Sequence, residues 1–460
     1  PGLMGDRRRR VRTEILGTPL TMPAHRPAFG QPVRYPESVA YLPPHEATAV
    51  PGFHAYSQRW SVAPGDDLDL RVSHDGPVRL VMVRHGLQTT MPEVVADLGE
   101  FDAAPHPIQR GSLVVVPDPV ALIGAITVEL WCRPLAHAPL AGLLWHPACQ
   151  LALHDGRPGL TLRTSAGEVT GHGPALATRQ WHHLAFTYDG LRAILWVNGI
   201  AVFSEISGGR PAVGAQAMRL GALVNEAGQS CACFTGDLWS PALYTRPLSL
   251  QELAARACTR PAAPAPGCVG HWVFDAVGGP PYRDTSLSER HGQGVNGPIR
   301  LIPGPNRSED SDWCSYDPLV DPAFGHAVRL MADALVDCRW PVTATWTVPA
   351  GLASGQYAAQ IRNAAGEQRL VHVIVRPPPR LSRRRSARQP RLVCLSTTST
   401  RCAYNFQPFG QRALDYGAYQ SHASYPLLGQ LLGWRRPATG EPWSTTTVNF
   451  ELPFYAWLRR

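Results

Sequence analysis

Cys394 and Cys402 bracket a polar loop, Ser396-Thr397-Thr398-Ser399-Thr400, and His422 follows in the same region. A thiol beside an imidazole is the minimum for a cysteine nucleophile, because the ring takes the thiol proton. A lone cysteine and a lone histidine define no mutual geometry in a sequence, so this pair is a weak candidate. Asp155, Asp189, Asn198, Asn225 and Asp237 carry hard oxygen donors of the kind calcium takes, although turn formation accounts for most of them better. Trp131, Trp181 and Trp196 have the chemistry of a sugar platform, yet indoles on alternating strand positions usually belong to a core. His182 and His183 point to opposite faces of one strand, so at most one is expected to be buried.

These residues need elements to hold them. Arg391-Leu392-Val393-Cys394-Leu395 is a short apolar run suited to a buried parallel strand, the first of an open α/β sheet. Ligands of such sheets sit beyond the carboxyl ends of the strands, which places the crevice at 396–406. Glu451 opens a helical segment, 451–458, that Asn449 can cap, and it reads as a first-turn acid stabilised by the helix dipole.

With 460 residues the chain has room for roughly three domains of ~100–200 residues. Its 45 prolines and 42 glycines favour many short strands over long helices. All 43 basic residues are arginine, and the net charge of +8 owes much to Arg7–Arg10 and Arg383–Arg385. Neither cluster is interleaved with aromatic side chains, so neither nucleic acid nor a membrane is expected as a partner. Ten cysteines without repeated spacing give no zinc module and are expected mostly as buried thiols. No apolar run approaches the ~18 residues of a membrane span, and Pro1–Val50 lacks the apolar stretch of a signal peptide, so a cytoplasmic location is expected. The chain begins at Pro1, and the stretch after 390 is short for a doubly wound sheet. A fragment with an incomplete, catalytically inert C-terminal domain is therefore expected.

Period-two alternation and turn chemistry divide the rest. Residues 1–50 are an irregular lead-in. Residues 51–116 are the first part of a β-sandwich, with strands near Tyr56–Val62, Leu68–Ser73 and Val78–Val83. A further sandwich covers 117–258, opening at Ile126–Pro134 and closing with a helix that Ser249 and Glu252 start as a capping box and that runs through Leu253. Asp189-Gly190 and Asn198-Gly199 are tight-turn pairs around one of its strands. Residues 260–267 are a linker, and 268–376 supply the remaining strands of the first sandwich, including Trp346–Pro349, Gly355–Arg362 and Leu370–Arg376. The second sandwich is thus inserted in the first. Pro377–Pro379 and Arg383–Arg385 mark a Pro/Arg-rich linker, 377–390, ahead of the α/β domain at 391–460.

The segments Ile126–Pro134, Gln180–Gly190, Ala193–Gly199, Phe234–Leu238 and Leu243–Ser249 resemble, in order, the strand motifs of laminin-G and pentraxin-like modules. That resemblance implies a concanavalin A-type sandwich. Leu395–Asn405 resembles the "l-a-S-T-x-T-x-x-A-Y-N" stretch of the large (beta) subunit of N,N-dimethylformamidase and its relatives. Tyr56–Gly65 is similar to that family's "Y-S-x-R-W-S-V-x-P-G" strand.

The second resemblance implies an amidohydrolase with mononuclear Fe(3+) held by two tyrosines and a glutamate, acting on a small amide as a hetero- or homo-oligomer with a possible small subunit. Tyr404 matches the tyrosine of the "A-Y-N" motif. Tyr425, ahead of Arg435-Arg436-Pro437, fits the second better than Tyr416 or Tyr419. The glutamate belongs to an "H-P-E-Y-W" motif that this chain lacks, so it is expected beyond Arg460, and Glu451 is a poor substitute. The alternative is a non-catalytic sandwich protein that binds carbohydrate or protein.

Overall fold

The computed structural model describes residues 44–49, 51–85, 92–118, 120–275, 282–306 and 326–377, with Cys394, Leu395, Phe454 and Trp457 as single positions. The early strands are β1 (His54–Ser57), β2 (Ser61–Val62), β3 (Asp67–Ser73), β4 (Gly76–Arg84) and β5 (Glu93–Ala103). Then come β6 (Leu113–Val116), β7 (Ile126–Pro134), β8 (Ala141–His146), β9 (Cys149–His154), β10 (Arg157–Thr164), β11 (Gly167–His172), β12 (His182–Tyr188), β13 (Arg192–Val197) and β14 (Ile200–Ile206). After β15 (Met218–Leu220), β16 (Leu223–Val224), β17 (Ser230–Cys231) and β18 (Gly236–Tyr244) the chain forms helix α1 (Leu250–Thr259). The last strands are β19 (Cys268–Val273), β20 (Arg283–Asp284), β21 (Gln293–Val295), β22 (Ile299–Pro303), β23 (His326–Leu330), β24 (Ala344–Thr347), β25 (Gly355–Asn363) and β26 (Gln368–Val375).

The fold is mainly β. A three-stranded sheet, β1-β3-β24, faces a five-stranded sheet, β2-β26-β25-β4-β5. Alternate residues of both sheets, such as Leu68, Leu70, Leu80, Trp346, Tyr357 and Val373, close a shared core. Strands from either end of the chain therefore complete one another, as the alternation at 355–362 and 370–376 predicts. The Leu68–Ser73 and Val78–Val83 strands, neighbours in sequence, fall into different sheets of this sandwich.

The inserted sandwich packs a seven-stranded sheet, β11-β10-β9-β8-β15-β6-β21, against a nine-stranded one whose path is β14-β13-β12-β7-β18-β19-β20, with β23 on β18 and β22 on β23. Its interior is mostly aliphatic, with the rings of Phe186, Tyr188, Phe234 and Trp272 buried in it. The Asn198-Gly199 turn has φ of 51° and 79°, the pairing a two-residue hairpin loop requires. Asp189 accepts from the backbone N–H groups of Leu191 and Arg192 at 2.8 and 2.7 Å, which closes the other end of β13. The capping box at Ser249 and Glu252 is present, and the helix runs past Leu253 to Thr259.

Two placements differ from the sequence reading. β19 to β23 join the inserted sandwich, so of the stretch 268–376 only β24 to β26 complete the first one. Alternation in Gly270–Phe274 aims Trp272 and Phe274 at a core, but it carries no address, and the core they fill is that of the inserted module. The cysteines are also less buried than expected: Cys132 and Cys149 are buried, Cys231, Cys233, Cys268 and Cys338 half-buried, Cys258 and Cys394 exposed. Among the described residues no helix is long and apolar enough to cross a membrane.

Candidate functional site

Tyr404, Tyr425, Cys402 and His422 lie outside the described residues. Of the expected helix at 451–458, Phe454 and Trp457 are described, both helical. Of the crevice at 396–406 the structure describes nothing, and Cys394 before it is exposed. Among the described residues no three His, Cys, Asp or Glu side chains come together as a metal site.

Of the residues proposed for calcium, Asp189, Asn198, Asn225 and Asp237 are engaged in contacts of their own. Asp237 is fully buried, with Arg329 Nε 2.7 Å from one carboxylate oxygen and Arg133 Nε 2.7 Å from the other. Asn198 accepts from the His183 backbone N–H at 2.9 Å, and Asn225 from that of Gln229 at 2.9 Å. Asp155 takes a left-handed turn position, with φ of 48°.

The polar centre that the fold does assemble lies on the outer face of the nine-stranded sheet. Glu129 stands in β7 opposite Ala185 of β12 and Ala242 of β18, and the small neighbours leave room above it for longer side chains. Arg256 of α1 reaches down and donates through Nε to both Glu129 oxygens, at 2.6 and 2.9 Å. His183 Nε2 donates at 2.9 Å and the Tyr244 hydroxyl at 2.8 Å. Burial alone would raise the Glu129 carboxyl, but the hydrogen bond and charge of His183, with the Arg256 guanidinium, hold it down at about 2. The same burial, then the Glu129 charge, pushes the Tyr244 phenol up. An anion held this firmly by three donors has no spare lone pair for a substrate. Its work is to fasten α1 to the sheet, as buried charge networks do when every member is partnered.

This network corrects the reading of the two histidines, since both are buried, His182 at 8% exposure and His183 at 0%. Alternation correctly sends them to opposite faces. The outer face, however, is roofed by α1 and by the cluster of Trp131, Trp239, Ile299, Ile302 and Met331. Trp131 and Trp196 are buried on that face, whereas Trp181 is half-buried with the Arg133 guanidinium 4.9 Å from its ring centroid. Glu129 itself was missed, and its signal was a charged residue inside the largely apolar Ile126–Cys132 run.

Next to this network β18 forks. Its first half pairs with β23 and its second half with β19, and a bulge between Trp239 and Ala242 puts Ser240 at the split with φ of 51°. Ser240 Oγ lies 2.8 Å from His271 Nε2, and His271 Nδ1 lies 2.7 Å from Thr285 Oγ1. Burial drops the imidazole to about 4, so it is neutral near pH 7. The chain of contacts has the order of a nucleophile and its base, but the Ser240 hydroxyl and the His271 ring are buried, and only Thr285 at the far end is exposed. It closes the fork in the sheet instead of facing a substrate.

Residues 320–460 match the family described as N,N-dimethylformamidase beta subunit-like, C-terminal. Residues 109–254 match the concanavalin A-like lectin/glucanases superfamily. The N,N-dimethylformamidase beta subunit of Paracoccus aminophilus is 27% identical over 384 residues, 71% of this chain and 49% of the relative. The chain thus spans about half the length of that relative. Among solved structures, a Bacteroides ovatus protein described as carbohydrate-binding aligns over 51% of this chain and 68% of its own, at 13% identity and a TM-score of 0.34. A pentraxin from Limulus polyphemus aligns over 41% of this chain and 87% of its own, at 14% identity and a TM-score of 0.28. The resemblance read from the sequence holds in both parts: residues 320–460 are N,N-dimethylformamidase beta subunit-like, and residues 109–254 ahead of them are concanavalin A-like.

Proposed function

We propose that the chain is the large subunit of an iron-dependent amidohydrolase of the N,N-dimethylformamidase type, cleaving a small N-substituted formamide or related amide within a hetero- or homo-oligomer. The observation that carries this reading is the match of residues 320–460, joined to a relative that aligns across 384 residues. Tyr404 and Tyr425 are the proposed iron donors. Their fit rests on donor chemistry: phenolates are hard anionic oxygen ligands of the kind a ferric ion takes. When bound, the ion supplies Lewis acidity toward the amide oxygen or toward water. Tyr404 and Tyr425 would each surrender a phenolic proton, of pKa ~10 in water, and hold negative charge at the site.

The inserted sandwich serves assembly in this reading. Its buried acids are committed to internal contacts, Glu129 to Arg256 and Asp237 to Arg329. The test is amine release from N,N-dimethylformamide and a short series of N-alkyl formamides by the full-length polypeptide, purified with any co-expressed small subunit and assayed with iron. Turnover that follows iron content supports the reading. A folded, iron-loaded protein that cleaves none of the series overturns it.

A further inference from the structure

The outer face of the seven-stranded sheet carries two imidazoles that the amidase reading does not use. His154 ends β9 and His172 ends β11, with β10 between them in the sheet. Strands two apart are separated by about 9 to 10 Å. The two rings nevertheless meet edge to face, their centroids 4.8 Å apart and their planes at 84°. What lets them meet is Gly159, which pairs with His172 in register and offers no side chain at the middle of the gap. A Cβ placed there would stand 3.0 Å from His154 Nε2 and 3.0 Å from His172 Nδ1, so the two nitrogens approach one point above the strand.

Alternation fixes the face on which this happens. Leu151, Leu153, Leu160, Leu162 and Val169 enter the core, so His154, Gly159 and His172 lie on the opposite side. His172 is exposed and His154 half-buried, which leaves the pair open to solvent. Partial burial, then the neighbouring His172, holds His154 below the usual imidazole range, so its lone pair is available at neutral pH.

We propose that His154 and His172 form a two-imidazole site for a divalent late first-row transition ion, with Cu2+ bound more tightly than Ni2+ or Zn2+. Imidazole nitrogen suits these ions, and their affinity for a given nitrogen site rises toward copper. No third His, Cys, Asp or Glu joins the pair among the described residues, so the remaining positions fall to water or to an incoming ligand. The rigid sheet supplies both donors, and the missing side chain at Gly159 supplies the space between them.

The probe is the metal alone, added to the full 460-residue chain after alkylation of its accessible thiols, among them Cys258 and Cys394. Equilibrium dialysis should find a Ni2+ site that His154→Gln and His172→Gln each weaken by about tenfold or more. Cu2+ at the same site should show nitrogen superhyperfine splitting from two imidazoles in its electron paramagnetic resonance spectrum, reduced to one in either variant. Circular dichroism confirms that the exposed His172→Gln variant is folded. Tyr404→Phe should leave this binding unchanged, which separates it from the proposed iron site. Failure of the chain to take up Ni2+, or unchanged binding in both histidine variants, overturns the proposal.

Discussion

Ser112 and Met331 close the inserted module at its base: the Ser112 N–H donates to the Met331 carbonyl at 2.9 Å, and the Met331 N–H to Ser112 Oγ at 2.8 Å. These residues are 219 positions apart, yet one pair of contacts ties the segment entering the module to the segment leaving it. Around this tie Tyr56, Ile108, Leu335 and Trp340 pack together, and the Tyr56 hydroxyl donates to Asp337 at 2.7 Å.

It follows that the module's folding unit is longer than its strand motifs suggest. Residues 109–333 expressed alone should unfold in one cooperative transition in urea. Residues 115–258 should not, because they lack β19 to β23 and leave the edge of β18 and the space of Trp272 unfilled. Cooperative unfolding of 115–258 with a steep denaturant dependence would contradict this placement.

Removing one partner of the outer-face network should be costly. Arg256→Ala leaves Glu129 buried with fewer donors, and a loss of roughly 3–5 kcal/mol is expected in urea denaturation of the module. Glu129→Gln should also destabilise, because it orphans Arg256 in place of the carboxylate. A change within ~0.5 kcal/mol for both would show that the network carries little of the stability.

The pH dependence of stability should have two limbs. His271 is held down at about 4, below its unfolded value near ~6.5, so the unfolded chain binds the extra proton first. The stability this provides is complete above the unfolded value and lost as pH falls toward 4, by about 3 kcal/mol. Glu129, held at about 2, adds a second loss that begins near its ordinary range and ends near its folded value. Thermal melts between pH 7 and 4 should show the first limb, and His271→Gln should flatten it. An unaltered slope in that variant would assign the limb to other groups.

The tryptophans separate core from surface. Trp131→Ala, at 4% exposure beneath Trp239 and Ile299, should cost ~3–5 kcal/mol. Trp181→Ala should cost at most about 2 kcal/mol, since half-burial and the stacked Arg133 are what it loses. Equal costs would place Trp181 in the core.

Much of the fold was legible in residue order. Ile126–Pro134 is a strand with the bounds its alternation gives, and Asn198-Gly199 turns where a φ-positive pair must. Residue order also pairs the strands near 346–375 with those near 56–84, because only complementary apolar faces close that sandwich. What covers an outer face was not legible. His183 and Trp131 sit under α1, β22 and the segment after β23, all contributed by residues far along the chain, and a strand's own period does not reveal such a roof. The meeting of His154 and His172 was hidden for a similar reason, since it depends on a glycine in the strand between them. Tyr404 and Tyr425 lie outside the described residues, and the role proposed for them comes from a resemblance, which period-two reading cannot supply.

The proposed iron site uses Tyr404. Its most direct test is iron per chain and the visible spectrum of the full-length polypeptide carrying these residues, compared with its Tyr404→Phe variant. One iron per chain with a tyrosinate-to-iron charge-transfer band, both lost or strongly reduced in Tyr404→Phe, is the expected result. Unchanged iron content and an unchanged band in the folded Tyr404→Phe protein would contradict the claim.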